Sequence, residues 1–188
     1  MLTRYLMAMT QTDQIRFLIK RLARLDAAET WDAALNPAQI AALEYLARAN
    51  RFSRAPSHVA DYLGTTRGTM SQTLKALARK GYVSERRSET DKRSISYDLN
   101  EAGRILAARR GALAEAINTV PEAERAQLSD SLSELLEHQL RENGGRSFGI
   151  CRTCAHHRVT QNGAFCALLS LPLLPDEPEQ ICHEQVAA

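Results

Sequence analysis

The chain has 188 residues, with 24 Lys and Arg against 22 Asp and Glu, 44% hydrophobic and 5% aromatic residues, and four cysteines. That length suits one substantial domain plus a small addition, and it can bury a core without cross-links. The longest apolar stretches, Ala167–Leu169 with Leu171–Leu174, fall well short of the roughly 18 residues that a membrane span needs. The stretch Met1–Leu25 carries its charges inside the apolar pattern and offers no cleavage site for a secretory leader. A soluble, cytoplasmic protein with no membrane partner is expected.

The net charge of +2 conceals a strong asymmetry along the chain. Residues 48–110 hold 14 basic and six acidic side chains, a net +8, whereas residues 1–47 are neutral, 111–147 carry −4 and 148–188 carry −2. One basic middle section between neutral and acidic ends is the footprint of a polyanion binder. The cysteines are equally localised, all four lying after residue 150. The chain therefore divides into residues 1–145 and a cysteine-rich appendage at 146–188.

From Leu2 to about Ala28, Leu6, Met9, Ile15, Leu18, Ile19, Leu22 and Leu25 recur at helical spacing, which predicts an amphipathic helix with one face to bury. Asn36 followed by Pro37 marks the start of a second helix through Ile40, Leu43 and Leu46. Two short helical patterns follow, Ser57–Leu63 and about Thr66–Lys80, with Gly64 between them and Gly81 at the end of the second. The period then falls to two over Val83–Arg86 and Ile95–Leu99, with a charged segment, Arg87–Arg93, joining them as a hairpin tip. Asn100 caps a further helix carrying Ile105, Leu106, Leu113 and Ile117. Pro121 opens the last long one, with Leu128, Leu132, Leu135, Leu136 and Leu140 at three-and-four spacing.

Ala60 and Gly64, four apart, suit the close crossing and the turn of a helix-turn-helix. Val59, Leu63, Met70, Leu74 and Leu77 would seal the pair. Arg67, Thr69, Ser71, Gln72 and Lys75 would then face outward as donors to base edges and phosphates. The charged hairpin directly after this helix fits a wing over the neighbouring minor groove, drawing Lys92 and Arg93 to its negative potential. Each charge alone is equally at home on an ordinary solvated turn; the +8 concentration favours the wing.

The segments Leu74-Lys-Ala-Leu-Ala-Arg-Lys-Gly-Tyr-Val83, Asp91-Lys-Arg93 and Leu99-Asn-Glu-Ala-Gly103 together resemble the signature of the MarR family of bacterial winged-helix regulators. The resemblance covers about residues 5–142 in organisation and is most specific over 56–103. It implies a mainly α fold with a small β-wing, a winged helix-turn-helix dimerising through its N- and C-terminal helices. Double-stranded DNA is the implied partner, a pseudo-palindromic operator read by a homodimer. It also implies that Asp91 braces the wing while Arg93 enters the minor groove. The family's usual Arg two residues beyond the Val is Glu85 here, leaving Arg86 and Arg87 to supply phosphate contacts, and its usual Thr is Asn100. Members often bind small lipophilic effectors near the dimer helices; Trp31, Tyr45 and His58 are candidates to line such a space, although packing is the ordinary use of each.

Cys151, Cys154, Cys166 and Cys182 form C-x2-C-x11-C-x15-C. In a cytosolic chain such a set points to metal binding before disulfides. Four thiolates suit a structural Zn²⁺ tetrahedron and equally an iron–sulfur cluster, for which the neighbouring Phe and Leu residues offer an apolar shell; a thiol switch is a third use. Zn²⁺ is the leading expectation, and His156, His157 and His183 are reserve ligands more ordinarily employed in hydrogen bonding. The sequence thus predicts a DNA-binding transcriptional regulator with a metal site that stabilises or senses. The competing reading is a redox or electron-transfer protein using a Cys-ligated centre, with the winged helix as an interaction module. No nucleophile elbow, phosphate loop or paired-carboxylate motif is present, so catalysis is not expected.

Overall fold

A computed structural model describes residues 9–29, 35–87, 94–109, 111–142, 144–145 and 148–188. Helix α1 spans Gln11–Glu29 and α2 spans Pro37–Arg48. The start of α2 is a reciprocal cap: Asn36 Oδ1 accepts from the Gln39 amide at 2.9 Å, and the Gln39 side chain accepts from the Asn36 amide at 3.2 Å. A 3₁₀ turn at Arg51–Ser53 leads into α3, Pro56–Tyr62, and α4, Arg67–Arg79. The expected helix-turn-helix is present within a residue or two at each end. Between its helices Gly64 adopts φ +61°, a left-handed conformation that a side chain would strain.

Strands β1, Val83–Arg87, and β2, Ile95–Leu99, pair antiparallel with Val83 opposite Leu99, as the change of period predicts. The predicted helix after Asn100 is two: α5, Glu101–Ala107, and α6, Ala112–Asn118. Gly111, a poor helix interior residue, sits at the break in extended backbone, and Glu29 Oε2 at the end of α1 accepts from the Ala112 amide at 2.8 Å. A carboxylate from α1 thus satisfies an amide in the first turn of α6 and fixes where the second helix begins. Asn100 occupies the N-cap position of α5, yet its side chain makes no cap bond there; Nδ2 donates to the Gly81 carbonyl at 3.2 Å.

The core lies between α2, α3, α4 and the hairpin, where Leu43, Tyr45, Leu46, Val59, Met70, Leu74, Leu77, Val83 and Tyr97 are buried. Gly103 completes it by close approach: a Cβ there would stand 2.2 Å from the Tyr82 carbonyl oxygen, which also accepts from the Asn100 amide at 2.9 Å. Helix α7, Glu122–Glu142, and α1 contain no buried residue. Their apolar stripes face outward, with Ile15, Leu25, Leu128 and Leu136 all exposed.

The cysteine-rich segment is a set of short strands stitched onto this core. Strand β3, Gly149–Ile150, pairs with β7, Ile181–Cys182, while β4, His157–Thr160, β5, Gly163–Cys166, and β6, Leu171–Pro172, form a three-stranded antiparallel sheet. Ile181 is buried in the lobe's own hydrophobic cluster, with Phe148 and Ile150 packed against it. The end of α2 accepts this strand as a partner: Ala49 bridges Ile181 in parallel, and the Asn50 amide donates to the Ile181 carbonyl at 2.9 Å. Among the described residues no helix is long and apolar enough to cross a membrane.

Candidate nucleic-acid interface and cysteine chamber

Helix α4 has two faces because its apolar residues recur at helical spacing. Met70, Leu74 and Leu77 are buried against the core, which turns the opposite strip outward. Its entry is fixed by Thr66, whose Oγ1 accepts from the Thr69 amide at 3.2 Å and lies 2.8 Å from Thr69 Oγ1. Of the five residues on this helix predicted for DNA contact, Arg67, Thr69, Gln72 and Lys75 are exposed and Ser71 is half-buried. Ser71, Gln72 and Lys75 share one strip, while the Thr69 hydroxyl is engaged in the cap. Two residues missing from the sequence prediction join that strip, Gly68 and Arg79, both exposed. Arg79 stands four residues beyond Lys75 and seven beyond Gln72, a spacing that could have found it.

The wing's root carries its charges in pairs. Arg86 is ion-paired with Asp98 Oδ2, and Arg87 Nε lies 3.1 Å from Glu85 Oε1. Both arginines stay largely solvent-facing, so each keeps donor capacity for a phosphate. Glu85, where the family's usual Arg is replaced, also accepts from the Tyr97 hydroxyl at 3.1 Å; burial, then that bond, pushes the Tyr97 phenol up to about 12. Asp91, Lys92 and Arg93, the predicted wing tip, lie outside the described residues.

Arg54, which sequence reasoning passed over, joins the wing to the lobe. Its Nε and Nη2 donate to the Ala49 carbonyl at 3.0 and 2.8 Å, and its Nη1 donates to Asp98 Oδ1 at 2.7 Å. With Arg51, Arg86 and Arg87 it lines a hollow of about 470 Å³ between the 3₁₀ turn, the wing and Leu174 of the cysteine-rich segment. Of the three residues considered for an effector, Tyr45 and His58 are otherwise engaged. Tyr45 is buried, donates its hydroxyl to the Ser53 carbonyl at 2.8 Å and has its pKa raised by that burial. His58 stacks on His183 with ring centroids 3.4 Å apart. Trp31 lies outside the described residues.

All four cysteines are reduced and line one small chamber, with Phe52, Leu168, Leu169 and Leu173 as apolar walls and Asn50, His156, His157 and Glu184 around them. Cys151, Cys154 and Cys182 are buried; Cys166 is half-buried. Burial, followed by the neighbouring Cys182, Cys166 and Cys154, pushes the Cys151 thiol up to about 11. Cys151 and Cys154 flank a 3₁₀ turn, Cys151–Thr153. Cys154 Sγ accepts weak bonds from the amides of His156 and Val186, each at 3.5 Å. Among the described residues, no three His, Cys, Asp or Glu are grouped so as to hold a single metal ion. The tetrahedral arrangement expected for Zn²⁺ is therefore not formed by these side chains.

Residues 35–94 match the MarR family. The fold is similar to that of a MarR transcriptional regulator from Methanosarcina mazei Go1, with TM-score 0.57 and 23% identity over 69% of this chain and 98% of that one. It is also similar to S. aureus MepR in a complex with DNA, with TM-score 0.56 and 18% identity over 69% and 98%. Wild-type MarR from E. coli in its apo form gives TM-score 0.53 and 19% identity over 68% and 98%. No curated protein matches the sequence.

Proposed function

We propose, from the match of residues 35–94 to the MarR family, that the chain is a sequence-specific DNA-binding transcriptional regulator that acts as a homodimer on a pseudo-palindromic operator. The observation that carries this reading is the two-sided α4, whose buried Met70, Leu74 and Leu77 leave Gly68, Ser71, Gln72, Lys75 and Arg79 as one outward polar strip. A strip of this kind enters a major groove, and the basic wing root beside it supplies phosphate contacts. The outward apolar stripes of α1 and α7 support assembly into a dimer, since neither helix buries them within the chain.

Selection from random duplexes, followed by fluorescence anisotropy across a salt series, tests this. The expected result is a preferred pseudo-palindrome and an affinity falling linearly in log–log form with salt, as phosphate contacts release counterions. Arg93→Ala should weaken that binding by about 1–3 kcal/mol. Absence of binding to any duplex at low salt overturns the reading, and reversible electron transfer through a thiol-ligated centre in such a chain would support the redox alternative.

A further inference from the structure

The four thiols surround a space that is not arranged around one metal ion. Its central void is about 10 Å³, the room of roughly one water. Its apolar walls are Phe52, Leu168, Leu169 and Leu173, with Asn50, His156, His157 and Glu184 beside them. A single thiolate-bound Zn²⁺ needs sulfurs drawn in to about 2.3 Å from one centre, a grouping that the described side chains do not make. Four thiols lining one largely apolar chamber fit a centre that itself contains several atoms. Two polar groups in the wall point the same way. Asn50 is fully buried, and its Oδ1 accepts from the Phe52 amide at 3.2 Å and the Ser53 hydroxyl at 2.7 Å, which fixes Nδ2 as the free donor. That Nδ2 and His157 Nε2 are buried with no hydrogen-bond partner among the described residues. A buried amide donor left over beside thiols is suited to sulfide and thiolate acceptors, as is His157 Nε2 in the tautomer that carries its proton there.

We propose that Cys151, Cys154, Cys166 and Cys182 hold an iron–sulfur cluster, and that its occupancy sets the DNA affinity of the winged helix. Binding exchanges four S–H bonds for four Fe–S bonds and releases four protons to solvent. Iron enters as ferrous and ferric ions together with sulfide, so no net oxidation is asked of the protein. Because the empty void is small, the cluster must displace a wall. The β4–β6 sheet moves most easily, as it carries the half-buried Cys166 and the exposed Leu168 and Leu169.

Coupling to DNA runs through Cys182, which lies between two residues joined to the reading lobe. Ile181 is in its core and bonded to Asn50 at the end of α2. The amide of His183 donates to Ser53 Oγ at 3.0 Å, and its ring stacks on His58 of α3, the first helix of the helix-turn-helix. Glu177, buried within this segment, takes Arg51 Nη1 at 2.9 Å. This second half of the proposal rests on the regulator reading given above.

Anaerobic reconstitution of the full chain with ferrous and ferric salts and sulfide, in parallel with zinc, tests both halves. Expected are iron and acid-labile sulfide in equal amounts, a broad visible sulfur-to-iron charge-transfer band, and loss of both in Cys166→Ala, with circular dichroism showing that variant folded. Stoichiometric zinc retained against iron, disulfide pairing among the four cysteines, or a chain that takes up no iron overturns the cluster. Operator affinity should differ by roughly 10-fold between loaded and empty protein, within the usual range of coupling between sites. Equal affinities overturn the coupling alone, and failure of every form to bind DNA overturns the regulator reading while leaving the cluster standing.

Discussion

Two regions of this chain lie outside the winged-helix core, and they solve the burial of apolar surface in opposite ways. Helices α1 and α7 are long and regular, yet contain no buried residue, and Ile15, Ile19, Leu22, Leu25, Leu128, Leu132, Leu135 and Leu136 are exposed. The cysteine-rich segment has strands of only two to four residues, but it places Ile181 in the lobe's core and three of four cysteines out of solvent. Regular secondary structure and tertiary burial are thus decoupled here. A helix satisfies its own backbone and can wait for a partner, whereas short strands cannot and must be held by the lobe.

The contrast can be broken by changes to either region. The double substitution Leu132→Glu with Leu136→Glu should leave the fold of one chain within about 0.5 kcal/mol, because both side chains are exposed. It should abolish dimers in sedimentation and weaken operator binding by roughly 100-fold or more, the scale set by losing two linked half-site contacts; retained dimers would assign the stripes another role. Ile181→Ala should do the reverse, costing about 2–4 kcal/mol in urea unfolding without altering the oligomeric state. A loss under about 0.5 kcal/mol would mean that the segment merely leans on the lobe. The smallest effect sharpens the picture of the lobe itself. Gly68→Ala should stabilise α4 by about 0.5–1 kcal/mol, since a Cβ there meets nothing closer than Thr66 Oγ1 at 4.0 Å, while lowering DNA affinity if the bare backbone is what approaches a phosphate. Stability and binding moving together would remove that assignment.

How legible these regions were in the sequence follows the same physics. Local signals sufficed for the lobe: the Asn36–Pro37 start, the two short helical patterns around Gly64 and the switch to period two each encode their structure within a few residues. Even two distant motif fragments acquire a shared cause, because Gly81–Tyr82 and Asn100–Gly103 meet through the Tyr82 carbonyl. The break at Gly111 was harder to see, since it is completed by Glu29 from more than eighty residues away. Ile181, Asn50 and Arg54 carried no local signal at all: an isoleucine in a polar tail, an asparagine after a helix and an arginine beside a proline-led turn gain their roles only from partners brought by the fold. The cysteines were found by spacing, but their common chamber and its apolar walls required the tertiary structure.

On the proposed DNA-binding reading, Arg54 has a consequence for which operators the protein would tolerate. Its guanidinium clamps the Ala49 carbonyl on one side and Asp98 on the other, while Asp98 also takes Arg86. A lysine, with one ammonium in place of a planar fork, could not span both. The root of the wing is thereby keyed to the end of α2, so on the proposed DNA-binding reading the distance between the contacts made by α4 and those made by the wing would be fixed by the protein. Duplexes that lengthen or shorten that interval by a base pair would then have to deform to fit, and discrimination among them would become a matter of DNA stiffness.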